Sequence, residues 1–369
     1  MSAETESATP AAAAEAPLVP EKAPENPPRR WAGVRIHAFE IVTLASMVIA
    51  AVFLRAHGLR MDWETVRWIV VPPLGKLPAA LGLGVALQLL YRLLTRRPLR
   101  AYLREVVRPR WWILWLRLML ALVAMQYGYF WMKVSVPLVH PRLWDHALWR
   151  LDTWLHFGIS PSVFVVNLFA GTPLVPLLDR WYGLWVTTVF ATLTFWSASL
   201  DDRLRRRILL SSVLLWTLGS WIYMSVPALG PAYLAPRVFD PVSGEMPGAY
   251  GGQRVLRENY GRLLEGRRSG ALRQLNPTRG IAAMPSLHVG LHFFFFLWAR
   301  RRARPLVVPF ALATGLTFAG SLLTGWHYAV DGYVGMLLAW FCYRVARWRE
   351  GADPVEDPAF PRSEALTPL

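Results

Sequence analysis

Cysteine is nearly absent from this chain of 369 residues. Cys342 stands alone in an apolar run, so an intrachain disulfide and a thiolate metal cluster are both excluded. Charge is also scarce: only 17% of the residues are Asp, Glu, Lys or Arg, against 54% hydrophobic residues and 19 tryptophans, too apolar for an ordinary soluble domain of this length. The first thirty residues, rich in Ala, Glu and Pro, lack the positive-then-apolar order of a signal peptide and the apolar content needed to fold; a disordered cytoplasmic tail is expected over 1–35.

What the chain has in quantity is long apolar runs. Trp111 to Val139, Trp181 to Ser199, Ile208 to Val226 and Pro305 to Thr324 each approach the ~20 residues that cross a hydrocarbon core. The expected fold class is all-α, a polytopic membrane helix bundle of about eight spans, at 36–54, 76–94, 111–138, 181–199, 208–227, 284–299, 305–324 and 327–346. Val163 to Leu178, broken by Gly171, Pro173 and Pro176, reads as a re-entrant or interfacial piece. The organisation expected is a tail (1–35), N-terminal membrane helices with an interfacial segment (36–180), a catalytic membrane domain with an outer loop at 227–283 (181–346), and a cytoplasmic tail (347–369).

A formal net charge of +16 would suit nucleic acid, but the arginines fall in short runs between apolar segments instead of on one soluble face, which argues against that partner. Seven arginines lie between Arg92 and Arg110, four between Asp201 and Arg207, and four more between Arg300 and Arg304. In the eight-span arrangement all three runs share one side with both termini, which should be the cytoplasm of a bacterial-type inner membrane. The long outer loop at 227–283 then lies outside, and the Trp- and Leu-rich segment His140 to Ser160, with Asp145, Arg150 and Asp152, is expected to lie as an amphipathic helix in the interface.

Polar clusters at helix starts occur on that outer face in two places: Met284-Pro-Ser-Leu-His288 and Thr324-Gly-Trp-His-Tyr-Ala-Val-Asp331. Pro285 suits a first helical turn, and the free amides beside Ser286 would form an anion site. His327 and Asp331 are four apart, so on a helix the carboxylate would hold Nδ1–H and leave Nε2 as a directed nucleophile or base. Imidazole itself can attack phosphorus, so no activated serine is needed. Ionisable groups inside membrane segments cost ~2.5 to 3.5 kcal/mol and are functional candidates by default. The pair His288 and His292 also has the spacing of two metal ligands on one helix, but the eight histidines are not clustered as a membrane di-iron site would require; His292 reads as a packing or hydrogen-bonding residue beneath the site.

These segments resemble the type 2 phosphatidic acid phosphatase superfamily, whose later motifs are P-S-G-H and S-R-x5-H-x3-D. Here they read Pro285-Ser-Leu-His288 and Gly320-Ser-x5-His327-x3-Asp331, and the resemblance spans Ser225 to Val345. The Leu in the first and the Tyr328 after His327 are similar to the inositol phosphorylceramide synthase branch. The resemblance implies a phosphohistidine on His327, Asp331 as its orienter, His288 as the acid that protonates the leaving oxygen, and neither metal nor cofactor. It implies a phospholipid donor and a lipid alcohol or water as acceptor; a phosphatase acting on phosphatidate or a polyprenyl (di)phosphate is the alternative, and a non-catalytic protein binding or transporting anionic lipid is another.

The family's first motif, K-x6-R-P, is missing, because none of Lys22, Lys76 and Lys133 has its spacing, and Ser321 stands where S-R-x5-H has Arg. Arg279 and Arg273 are then the candidate phosphate ligands, since guanidinium binds phosphate oxygens bidentately. Ser286 and Tyr328 complete the expected substrate-binding set.

Overall fold

The computed structural model describes residues 36–59, 67, 71–269 and 279–351. The tail expected over 1–35, and Arg273, lie outside the described residues. The described elements are helical, with no strand among them. In chain order the principal helices are α1 (Ala38–Ala56), α2 (Leu77–Leu94), α3 (Leu99–Val106), α4 (Pro109–Val139), α5 (Asp145–Leu155), α6 (Pro161–Phe169), α7 (Leu174–Gly183), α8 (Trp185–Ser197), α9 (Asp202–Ser225), α10 (Pro247–Ser269), α11 (Leu287–Arg302), α12 (Val307–Leu323) and α13 (Ala329–Arg349). The protein is an all-α polytopic membrane protein: five helices are long and apolar enough to cross a bilayer, namely α1, α2, α4, α9 and α12 extended back to Arg304.

Outward-facing side chains fit that solvent. Ile41, Leu44, Val48 and Val52 on α1, Val308, Leu312 and Leu316 on α12, and Leu337, Trp340 and Phe341 on α13 are exposed. In water such apolar faces would be an aggregation hazard, and in hydrocarbon they cost nothing.

At the centre, α9, α11 and α13 pack along one another, with α4 against α9. The α11–α13 crossing is tight because both backbones lack a side chain where they meet. A Cβ on Gly290 would come within 2.8 Å of the Gly335 carbonyl oxygen, and one on Gly335 would overlap the Ser286 carbonyl. Small residues of this kind let membrane helices approach to backbone contact. The Ser286 amide donates to the Asp331 carbonyl at 2.9 Å, so the starts of α11 and α13 are joined directly. At the opposite end Arg206 of α9 pairs with Glu350 at 3.1 Å, fixing the end of α13.

One expectation needs correction, and two stretches gain detail. The span expected at 181–199 is divided, because α7 ends at Gly183 and a new helix, α8, begins at Trp185. The apolar stretch around 163–178 forms α6 and the start of α7, separated by a turn at Gly171, whose φ is +71°. The stretch expected as the outer loop, 227–283, contains α10, a helix of 23 residues that packs on α4 and α7. Its signals were present in Pro247 at the first turn and in Leu256, Asn259 and Leu263 at helical spacing, but the many Gly and Arg residues between them obscured the pattern.

Candidate active site

The first helical turn of α11 begins at the cap Ser286, whose hydroxyl accepts from the Val289 amide at 3.4 Å. Pro285 therefore precedes the cap, after a cis Met284–Pro285 peptide, instead of occupying the first turn. Ser286 is fully buried, with its amide on Asp331 and its hydroxyl on its own helix, so two of the groups expected to receive an anion are already engaged. His288 stands in that turn, half-buried, its ring against Tyr182 (centroids 4.9 Å apart, 25° between planes) and Trp185 (4.2 Å). Trp185 Nε1 donates to the His288 carbonyl at 3.1 Å. Aromatic walls on two sides fix the orientation of the imidazole.

His327 comes from the turn between α12 and α13. It does not share a helical face with Asp331, because α13 starts only at Ala329; the capping turn brings them together instead. Asp331 Oδ2 accepts from the Tyr328 amide at 2.9 Å and lies 3.4 Å from His327 Nδ1, while its Oδ1 is buried without a hydrogen-bond partner. The shorter contact of Nδ1 is with the Ala283 carbonyl, at 2.8 Å. Facing two oxygens that can only accept, Nδ1 carries the proton, and Nε2 holds a lone pair. That Nε2 lies 3.1 Å from His288 Nδ1, which is therefore the donor in this contact.

Helix α5, expected in the interface, performs a task its sequence pattern did not suggest. Asp145 and Asp152 are not on a wetted face but buried. Asp152 accepts from the Ala329 and Val330 amides at 3.0 and 2.9 Å, capping α13 from outside. Burial pushes its carboxyl above the usual carboxylate range, against the opposing pull of those two amides. Asp145 receives the Leu229 and Gly230 amides and the Tyr328 hydroxyl, the last at 2.9 Å. Tyr328 is thus buried and committed to Asp145, away from the position expected of a substrate ligand. His292 sits beneath the site with Nδ1 2.7 Å from Thr317 Oγ1 and Nε2 3.0 Å from Thr188 Oγ1, so both ring nitrogens are satisfied by threonines.

His288 and His327 open onto a cavity of about 280 Å³ whose wall also includes Lys133, Asp179, Tyr182 and Trp326. Lys133 is the residue that the sequence reading set aside. It stands near the C-terminal end of α4, half-buried, its ammonium within 6 Å of the Tyr129 and Tyr223 rings (5.9 and 5.7 Å). The expectation that no lysine keeps the motif's spacing is corrected here: six residues separate Lys133 from His140-Pro141, which keeps the K-x6-x-P spacing with His in place of Arg. Arg279 is exposed one residue before cavity-lining Gly280 and is not itself in the wall; only its carbonyl is engaged, by Asn259. Arg257 and Arg267 on α10 reach the carbonyls of Ala232 and Pro137. Ser321, which stands where the motif has Arg, is buried and donates to the Phe318 carbonyl.

Membrane helices here bring two imidazoles and an ammonium to one cavity, with the Asp331 carboxylate buried behind His327, a set of groups suited to handling a phosphate ester. The sequence profile of the PAP2 superfamily matches residues 146–345, more than half of the chain, and the protein belongs to that superfamily. The match starts within α5, well before the motif region, and ends in α13. Membership supports a lipid phosphatase or phosphotransferase type of function. No curated protein and no solved structure matches the chain significantly.

Proposed function

We propose that the protein is a lipid phosphotransferase that moves a phosphoalcohol group from a phospholipid, through a phosphohistidine on His327, to a lipid alcohol or water. The observation that carries this reading is the pinning of His327 Nδ1 by Ala283 and Asp331, which turns an unprotonated Nε2 toward the cavity beside His288. The 3.1 Å contact between the rings leaves no room for phosphorus, so the arriving phosphate parts them. An Nε2–P bond forms as the P–O bond to the diacylglyceryl oxygen breaks, and the proton of His288 passes to that oxygen. In the second half His288 takes the proton of the acceptor hydroxyl, whose oxygen attacks phosphorus and releases His327. Lys133 balances the charge on the non-bridging oxygens.

Preference for a phosphodiester over a monoester follows from the cation count. Lys133 is the one Lys or Arg among the described residues lining the cavity. A monoester approaches two negative charges, and each missing charge-assisted hydrogen bond forfeits ~1.5 to 3 kcal/mol. The similarity of Pro285-Ser-Leu-His288 and Tyr328 to the inositol phosphorylceramide synthase branch points the same way. An extracytoplasmic site in a bacterial-type inner membrane, with the termini cytoplasmic, is part of this proposal, supported by the Arg runs at the opposite helix ends.

The test supplies the purified protein with ³²P-labelled phosphatidylinositol and phosphatidate in one detergent. Expected are faster consumption of the diester and an acid-labile label on the protein that disappears in His327→Ala. Faster phosphate release from phosphatidate would make it a phosphatase, and absence of any protein-bound label together with normal turnover in His327→Ala would end the mechanism.

A further inference from the structure

The cavity wall carries a carboxylate for which the reaction above has no use. Asp179, on α7, is buried; its Oδ2 accepts from the Gly248 amide at 2.9 Å and its Oδ1 from the Ala249 amide at 2.8 Å. The approach depends on Gly248, where a Cβ would lie 3.0 Å from Oδ2. These bonds close the start of α10, but each carboxylate oxygen has a further lone pair. Asp179 is not ion-paired with Lys133, although both line the cavity.

One turn along α7, Tyr182 lines the same cavity with its ring on His288, and its buried hydroxyl has no hydrogen-bond partner. An orphaned phenol and a carboxylate with spare acceptor capacity, side by side next to the candidate acid, form a set that a bare phosphate does not need. A fixed negative charge there disfavours a dianionic phosphate. Hydroxyl groups suit both partners: they donate to Asp179 and accept from Tyr182. The indole of Trp326 adds an apolar wall on which a ring can rest. At about 280 Å³ the space is at the small end of ligand sites and matches a headgroup, not an acyl chain.

We propose that Asp179 is a specificity-determining residue, which accepts hydrogen bonds from the hydroxyls of a polyol, a cyclitol or sugar alcohol, esterified to the lipid phosphate. Tyr182 donates to the same group. The proposal rests on the phosphodiester reading above and names the alcohol that the diester carries.

The test compares kcat/KM of the full-length protein on phosphatidylinositol and phosphatidylethanol with matched acyl chains, with phosphatidate as a third arm. Wild type is expected to prefer the inositol lipid by roughly 10- to 100-fold, the effect of one or two hydrogen bonds to a charged acceptor. Asp179→Asn should bring the ratio to within about threefold of unity, and a folding defect, which lowers both rates alike, leaves the ratio untouched. Tyr182→Phe keeps the ring on His288 and loses only the hydroxyl; it should lower the preference by roughly 3- to 10-fold and provides the test where Asp179→Asn does not fold. Equal wild-type rates on the two diesters, or an unchanged ratio in the variants, would overturn the role of Asp179 while leaving phosphodiester transfer intact. Faster turnover of phosphatidate than of either diester would instead remove the reading on which it rests.

Discussion

Replacing Asp331 by Asn separates charge from geometry at the candidate nucleophile. The Tyr328 amide requires an acceptor where Oδ2 now stands, so the Asn oxygen takes that place and its NH₂ falls at the unpartnered Oδ1 position. His327 Nδ1 keeps its 2.8 Å bond to the Ala283 carbonyl, and with it the tautomer that frees Nε2. What is lost is a negative charge 3.4 Å from Nδ1. At that distance a unit pair is worth ~5 kcal/mol with an effective dielectric constant of about 20. Reorganisation around the neutral ground state returns roughly half, which leaves ~2 to 3 kcal/mol of preference for the positively charged phosphohistidine. The expectation is a kcat lower by roughly 30- to 150-fold with KM nearly unchanged. Steady-state kinetics on the preferred lipid, with single-turnover measurement of phosphohistidine formation, would read it. A kcat within threefold of wild type would show that the Ala283 carbonyl alone suffices and that the carboxylate has no electrostatic role.

Lys133→Met should reduce kcat/KM by roughly 10- to 100-fold, as expected for losing a charge-assisted contact to phosphate, and Arg279→Ala, at an exposed position outside the cavity wall, should change it by less than about threefold; lipid turnover assays of both decide between them. Asp152→Ala would leave the Ala329 and Val330 amides buried without an acceptor, lowering stability by about 2 to 4 kcal/mol, readable as a fall in Tm in detergent. Glu258 is exposed on α10, so Glu258→Cys in a Cys342→Ala background should react with an impermeant thiol reagent in intact cells, the outer membrane permeabilised where there is one; labelling only after inner-membrane lysis would invert the topology.

The apolar runs made the long helices legible, because length and composition alone decide what can cross hydrocarbon. Their ends at 54–56, 94 and 138–139 were readable to within a few residues for the same reason. The two imidazoles and Asp331 were legible as a group, since ionisable residues stand out against an apolar background. How they meet was not. Helical spacing suggested a shared face for His327 and Asp331, but a capping turn and the Ala283 carbonyl, remote in sequence, set the geometry. Ser286 and Tyr328 were chosen for their neighbours in the chain, and the structure commits both to partners of its own. Asp145 and Asp152 read as the polar face of an interfacial helix, and no motif singled out Asp179; their role appears only when other segments bring backbone amides to them.

Lys133 shows why the cation was the hardest part to find. In the sequence it is one positive charge within a 31-residue apolar helix, and its six-residue spacing to His140-Pro141 was the local clue that was overlooked. A lysine at such a depth is costly without a purpose. Among the described residues no carboxylate pairs with it, and the nearby Tyr129 and Tyr223 rings supply only weak cation–π support. An ammonium kept in that state, opening onto the cavity that holds His288 and His327, is stabilised most by an anion that arrives with the substrate. The same reasoning favours an anion of low charge in the proposed reaction, because Asp179 opposes from the same wall and Arg257 and Arg267 of α10 reach backbone carbonyls. The proposed donor preference then follows from the balance of one ammonium against one carboxylate, a quantity that no single motif in the sequence records.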